Sequence, residues 1–392
     1  MKYLVFIFIL SLSYSPSFAQ TVYERILQDI DQNNTSLRAL NTQIDALKVQ
    51  NLTGIYLNNP EVAYSYLWGK PSDLGKQQDL SITQEFDIAT LTGKRKTLAN
   101  SQNKLVELDY DTQRIQILQT AKENIITVIY YNNLIAQLET QQQHAQEISA
   151  LYKKKLALGD ATIIEFNRSK VNLANIQGQI AQIHTERERT LGDLKQQNGG
   201  VEVAILETEY PLEALPTHFE TWYAEVIKRS PILQSLQQEI IVDDQHIAVQ
   251  KSANLPTISA GFAREKIIDE DFKGVTLGVS IPLWQNKNKV KHARLAKIAS
   301  EERLKDFQTQ AFTQLQSLYQ KANNDKKTME IYRSSIDNSS TNRLLKKALD
   351  AGEITLLEYT VEQNIYYENY RKSVEAQQNY QLALAKLHEF LL

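Results

Sequence analysis

Two periods alternate along this chain. Over long stretches apolar residues return every three to four positions, at Leu108, Ile115, Leu118, Ile125 and Ile129, and again at Leu304, Phe307, Ala311, Leu315, Leu318, Ala322 and Met329. Gln, Lys and Glu fill the other positions, which is the pattern of helices packed along a seam. Neither Gly nor Pro occurs between Gly93 and Gly159, or between Pro282 and Gly352. A run that free of breakers permits one helix of ~60 residues, ~90 Å long. The helical pattern resumes over Thr162–Gln197 and Thr355–Leu391, and a shorter helical stretch opens each half, Val22–Ile55 and Phe219–Asn254.

Ahead of each long helix the period drops to two. Val62, Tyr64, Tyr66 and Trp68 alternate with smaller residues, and Leu80, Ile82, Phe86 and Ile88 alternate with polar ones. The second half repeats this with Ile258, Ala260 and Phe262, then Val275, Leu277, Val279, Ile281 and Leu283. The spacing predicts two β-hairpins, 60–88 and 256–283, with polar loops over Gly69–Gln77 and Glu265–Lys273. Each strand has the ~9–11 residues of a tilted membrane strand. Trp68 and Trp284 lie near strand ends, where a membrane barrel carries its aromatic girdle. Two readings stay open: small amphipathic sheets lying on the helices in water, or strands in lipid. A strand in hydrocarbon needs both edges paired, and four strands cannot close a barrel, the smallest kind having ~8. Strands in lipid would therefore require several copies to share one barrel, with the polar faces lining its lumen.

The two halves also share a turn. "LALGDATIIEF" (Leu156–Phe166) and "LDAGEITLLEY" (Leu349–Tyr359) pair Gly159 with Gly352, Asp160 with Glu353, Thr162 with Thr355, and Glu165 with Glu358. An offset of half the chain points to duplication of a whole structural unit. Each Gly stops one long helix, and Asp160 or Thr162, and Glu353 or Thr355, can cap the returning one. The stretch is thus predicted to be the tip of a helical hairpin.

Composition agrees with long water-facing helices: only 13 Gly and 8 Pro occur in 392 residues. The net charge is −3 with basic residues scattered among acids, which gives no sign of nucleic acid. Lys2, the apolar run Tyr3–Leu12 and Ser17-Phe18-Ala19 read as a cleaved secretory signal over 1–19, with Gln20 the mature start. The run is too short for a retained anchor. The absence of Cys excludes an N-terminal lipid anchor, disulfides and thiolate metal sites. His184 with Glu186 and His144 with Glu147 are weak metal-like pairs, and scattered surface His accounts for them equally. With no hydrolase elbow, P-loop or dinucleotide fingerprint, neither an enzyme nor a cofactor is expected.

The ordered set of helix, hairpin, long helix, Gly turn and returning helix, written twice, resembles the TolC family of outer-membrane efflux channels over essentially the whole mature chain. "RSPIL" (Arg229–Leu233) leading to "ANLPTISAGF" (Ala253–Phe262) carries the likeness locally. "GVSIPLWQNKNKVKHARLA" (Gly278–Ala296) is similar to the strand-to-helix transition of the cobalt–zinc–cadmium and copper–silver resistance members. The resemblance implies a mainly α fold with membrane β-structure: a homotrimer whose four strands per chain make a twelve-stranded outer-membrane barrel above a helical periplasmic tunnel. It implies two structural repeats, 20–198 and 219–392, joined by an equatorial linker at 199–218 that contains the strand-like "VEVAI" run. It implies partners as well: outer-membrane lipid, a periplasmic adaptor and an inner-membrane pump of the RND type. Gly159, Asp160, Gly352 and Glu353 would meet the adaptor, although each Gly is equally accounted for as a helix stop. Glu358 matches the acidic aperture of the family, but its usual second acid is replaced by Val361, and Glu362 follows. A lumen-facing Glu358 would belong to a ring of coupled carboxylates with raised pKa values; a solvated surface position is the other reading. Heavy-metal ions, drugs and secreted proteins all remain open as cargo, and a secreted helical protein with no pore is the rival of another class.

Overall fold

The computed structural model describes residues 21–71, 75–87, 91–268, 270–336 and 341–392. The expected signal segment 1–19, Ile88 and positions 337–340 of the second breaker-free run lie outside them.

Helix α1 (Val22–Asn33) starts at a capping box, in which Thr21 and Glu24 each accept the other's backbone N–H, and it buries Val22, Tyr23, Ile26, Leu27 and Ile30 along one face. The single helix expected over Val22–Ile55 is broken at Asn34. There the Asn34 side chain accepts from Leu37 N–H at 2.9 Å and donates to the Gln197 carbonyl at 2.8 Å, so α2 (Thr35–Asn51) begins on a fresh cap. The single helix expected over Phe219–Asn254 breaks likewise. A short α5 (Phe219–Val226) and one 3-10 turn lead to α6 (Pro231–Ser252), capped by the buried Ser230 with Pro231 at its first position. Proline suits that place because its missing N–H is not needed there.

Helix α3 (Leu91–Leu158) has 68 residues, about 100 Å at 1.5 Å per residue. It packs against α2, α4 (Ile163–Gln197), α6 and α9 (Leu356–Leu387). In the second half α7 (Lys289–Ile336) runs 48 residues and α8 (Thr341–Ala351) leads to the second tip; α7 packs on α6 and α9.

The main core lies midway along α3, where Ile125, Ile126, Val128 and Ile129 meet Ile30, Leu194, Ile205 and Ala385 with no more than 1% exposure. Burying each large side chain contributes ~1.5–3 kcal/mol. The segment after α4 lies across this core without forming the strand expected at Val201–Ile205. Its carbonyls are met by side chains instead of a neighbouring strand: Asn132 donates to Ile205 and Glu207, Asn133 to Thr208, and Tyr319 to Pro216.

Strands β1 (Glu61–Trp68), β2 (Lys76–Phe86), β3 (Thr257–Ile267) and β4 (Glu270–Ser280) form one antiparallel sheet in the order β1-β2-β3-β4. The two predicted hairpins are thus joined edge to edge through β2 and β3, with Ile82 opposite Phe262. The polar stretch Glu265–Lys273 is mostly strand, not loop. Its charges face each other across the ladder: Arg264 binds Asp271 through two hydrogen bonds of 2.8 and 2.9 Å, and Lys273 joins at 3.2 Å.

Candidate functional site

Two regions present chemistry to the outside: the sheet and the paired tips. Register divides the sheet cleanly. One face carries Val62, Tyr64, Ile82, Phe86, Ile258, Phe262, Val275, Leu277 and Val279, aligned in rows by the pairings Val62–Ile82–Phe262–Val275 and Phe86–Ile258–Val279. These apolar side chains lie open: Val275 is 79% exposed and Leu277 80%. Ile281, Leu283 and Trp284 extend the apolar surface beyond the end of β4, and all three are exposed. An apolar face of this extent needs a cover other than water.

The opposite face is built of small and polar residues, and its charged members are Glu61, Asp79, Glu85, Glu265 and Glu270, all acidic. Asp79 accepts from Ser65 at 2.9 Å and from Gln77, whose amide also reaches Glu265 at 2.8 Å. This face is crowded. A Cβ at Gly261 would lie 2.6 Å from the Ile82 carbonyl oxygen and 2.7 Å from Thr276 Oγ1, and one at Gly278 2.5 Å from Ser259 Oγ. Small residues are required there because neighbouring strands leave no room.

Among the described residues, β1 and β4 each pair on one side only. Two raw edges flank a sheet with one oily and one acidic face. No helix among the described residues is long and apolar enough to cross a membrane, a statement that does not bear on β-structure.

At the other end the two tips are built alike. Gly159 (φ +81°) and Gly352 (φ +74°) take the left-handed conformation that ends a helix. The next N–H groups reach back five residues, Asp160 to Lys155 at 2.8 Å and Glu353 to Ala348 at 2.9 Å. Thr162 then caps α4 and Thr355 caps α9 in capping boxes closed by Glu165 and Glu358. A Cβ at either Gly would meet nothing within 4 Å. The glycines are therefore required by their turns, and the space above them is free.

The tips share a core. Ile148 and Tyr152 of the first hairpin pack with Leu349, Leu356 and Tyr359 of the second, and Phe166 covers them. Burial, with Asp350 and Glu147 adding to it, pushes the Tyr359 hydroxyl up to about 12. Leu158, Ile163 and Ile164 stay exposed around Gly159, and Leu357 and Val361 beyond Gly352.

Of the residues singled out from sequence, Gly159, Asp160, Gly352, Glu353 and Glu358 all gather at this end, and Glu362 lies one turn further along α9; Asp160, Glu353, Glu358 and Glu362 are exposed. Glu358 has a local duty that the sequence reading did not assign to it. It accepts from Thr355 N–H at 2.8 Å and from the Thr355 hydroxyl at 2.9 Å, and these bonds hold its carboxyl below the usual range within the subunit, opposite to the expected rise. The spacing Thr-x-x-Glu carried that signal.

One polar cluster was not foreseen. Lys122, 7% exposed in its side chain, donates to Glu213 at 2.8 Å, and His388 Nδ1 lies 3.5 Å from the other oxygen of Glu213, too far for a hydrogen bond by the usual geometry. Burial would raise the Glu213 carboxyl, but His388 and Lys122 outweigh it and hold it low. Separately, Arg114 grips Asp31 through two bonds of 2.7 and 2.8 Å and donates to the Leu392 carbonyl. Among the described residues no group of three or more acids and His is placed to hold a metal ion.

The sequence matches no protein-family model and no curated protein. Solved structures do match. A membrane protein from Pseudomonas aeruginosa superposes with a TM-score of 0.79 at 15% identity, covering 94% of this chain and 90% of that one. CusC, described in connection with transmembrane channel formation, gives 0.78 at 12% over 94% and 91%. The outer membrane protein VceC from Vibrio cholerae gives 0.70 at 14% over 94% and 95%. The fold is TolC-like. At these identities the likeness speaks for architecture, so the raw edges, the oily face and the twin tips have to carry the argument about function.

Proposed function

We propose that this chain belongs to the TolC family and is one third of an outer-membrane exit duct. Three copies join β4 of one to β1 of the next, closing a twelve-stranded barrel in the outer membrane, while the helices form a tunnel through the periplasm. One observation carries this reading: the four-stranded sheet has two unpaired edges, an exposed apolar face and an opposite face whose only charges are carboxylates. In hydrocarbon such edges cost several kcal/mol per unpaired group, and only neighbouring copies offer partners in register.

The tips are the proposed docking surface for a periplasmic adaptor, through which an inner-membrane pump of the RND type drives export. The left-handed glycines with open space above them and the exposed aliphatic residues around Gly159 support that placement. Cationic cargo, heavy-metal ions foremost, suits the acidic sheet face, because carboxylates lining a pore attract cations. The duct does no chemistry of its own. The residues before Thr21 are proposed as a cleaved export signal, and no Cys is available for a lipid anchor.

Purified protein in detergent is expected to have the mass of a trimer and to give stepwise conductance in a planar bilayer, with reversal potentials favouring cations. A monomer soluble without detergent and silent in bilayers would reject the duct.

A further inference from the structure

The outward face of the sheet changes character along its length, and the change falls where chemistry beyond oil is needed. From Val275 to Ile281 the apolar surface extends roughly 20 Å at ~3.4 Å per residue, close to the ~25 Å band of an outer-membrane barrel. The next rows away from the helices, still on the same face, hold Arg264 opposite Lys273 and Lys266 opposite Asp271. Lys76 follows on β2, with its ammonium 5.9 Å from the centre of the Tyr66 ring. On the strands of this face that makes four basic groups and one carboxylate, while the reverse face carries acids alone. Asp271 is engaged by both Arg264 and Lys273.

We propose that this basic patch is a docking site for the phosphorylated headgroup of a lipid in the outer leaflet. The inference rests on the duct reading, which puts the β1–β2 and β3–β4 turns outside the cell and so sets these rows at the outer headgroup level. The two faces have opposite charge at the same height, which argues against a general preference of this end of the sheet for basic residues. Cations above an apolar band, flanked by an aromatic ring, suit a ligand with an acyl chain below and a phosphate above. A soluble anion would use only half of this surface.

The test is lipid binding by the detergent-purified protein in lipid nanodiscs, comparing bisphosphorylated lipid A with its dephosphorylated form and read by native mass spectrometry. The expected result is preferential retention of the phosphorylated form. In the K266Q/K273Q variant that preference falls about 30-fold, at roughly a factor of five per surface cation, and K266R/K273R restores it. Trimer mass and bilayer conductance stay normal throughout. Equal retention of both lipids, an undiminished preference in the Gln variant, or full displacement by inorganic phosphate would each overturn the proposal. Absence of conductance and of a trimer in the unmodified protein would instead bring down the duct reading itself, so the two failures are distinct.

Discussion

Thr355 and Glu358 hold one another in three hydrogen bonds, and Thr162 and Glu165 hold one another in the same three. The glutamate N–H donates to the threonine hydroxyl at 3.2 Å in both pairs, and the return bonds to the carboxylate are 2.8 and 2.9 Å in one and 2.8 Å twice in the other. The same device at both tips means that Glu358 has a structural duty whether or not it also faces a pore.

The two duties separate by substitution. Glu358→Gln keeps an acceptor suited to the capping box and removes the charge, so it should leave the thermal midpoint unchanged. If the carboxylate lines the aperture, cation preference should drop. Glu358→Ala should lose both. Reversal potentials in a salt gradient together with melting curves check this, and unchanged preference in the Gln variant would remove Glu358 from the lumen.

Gly352 calls for a paired test as well. Asn tolerates the left-handed conformation better than other side chains, and a Cβ here meets open space. Gly352→Asn should therefore fold and assemble. Gly352→Trp should also give trimers, at a modest cost of ~1–2 kcal/mol for the left-handed backbone, yet abolish export, because the bulk occupies the surface offered to the adaptor. Export assays beside trimer mass decide; normal export by the Trp variant would remove docking from this tip.

The division of the sheet faces can be tested with neighbouring residues. Leu277→Arg places a charge on the exposed apolar face and should cost ~2–4 kcal/mol in folding into vesicles. Thr276→Lys lies on the acidic face, should cost far less, and should weaken cation preference. Denaturant titration in lipid vesicles and conductance would show a reversed pattern if the faces were assigned backwards.

The equatorial pair gives a pH prediction. Because Glu213 is held below the ordinary carboxylate value in the folded chain, folding favours its charged form. The stabilisation is complete above the unfolded value of ~4.3 and fades as pH falls through the lower folded value. Glu213→Gln leaves the nearly buried Lys122 without its counter-charge and should cost about 1–3 kcal/mol near neutral pH. The difference in melting temperature between native protein and variant should shrink below about pH 4; a constant difference across that range would mean the charge of Glu213 is not what stabilises the equator.

Much of the architecture was legible because it rests on local signals: a period of two before each long helix, long stretches without breakers, and a Gly at each tip. What escaped depends on residues far apart in sequence. The break at Asn34 is fixed by the Gln197 carbonyl, although "QNNTS" did carry a cap signal. The Val201–Ile205 run alternates like a strand, yet α3 supplies Asn132 as its donor, so tertiary context overrides the pattern. Arg264 to Lys273 reads as a solvated loop because charge usually marks one. Opposite signs facing across the ladder, Arg264 with Asp271, make it strand instead. The lumen assignment of Glu358 and Glu362 was beyond reach for another reason: a pore made by several copies is not written in one.

The raw margins of the sheet have a consequence for how the assembly comes about. Joining β4 to a neighbour's β1 is a head-to-tail contact, which repeats without using itself up until rotation brings the chain of copies back to its start. Two copies would still end in one bare margin at each side, no better protected than a single copy. There is thus no comfortable stepping stone between the lone subunit and the finished ring, and insertion into lipid and closure of the circle become one all-or-nothing event.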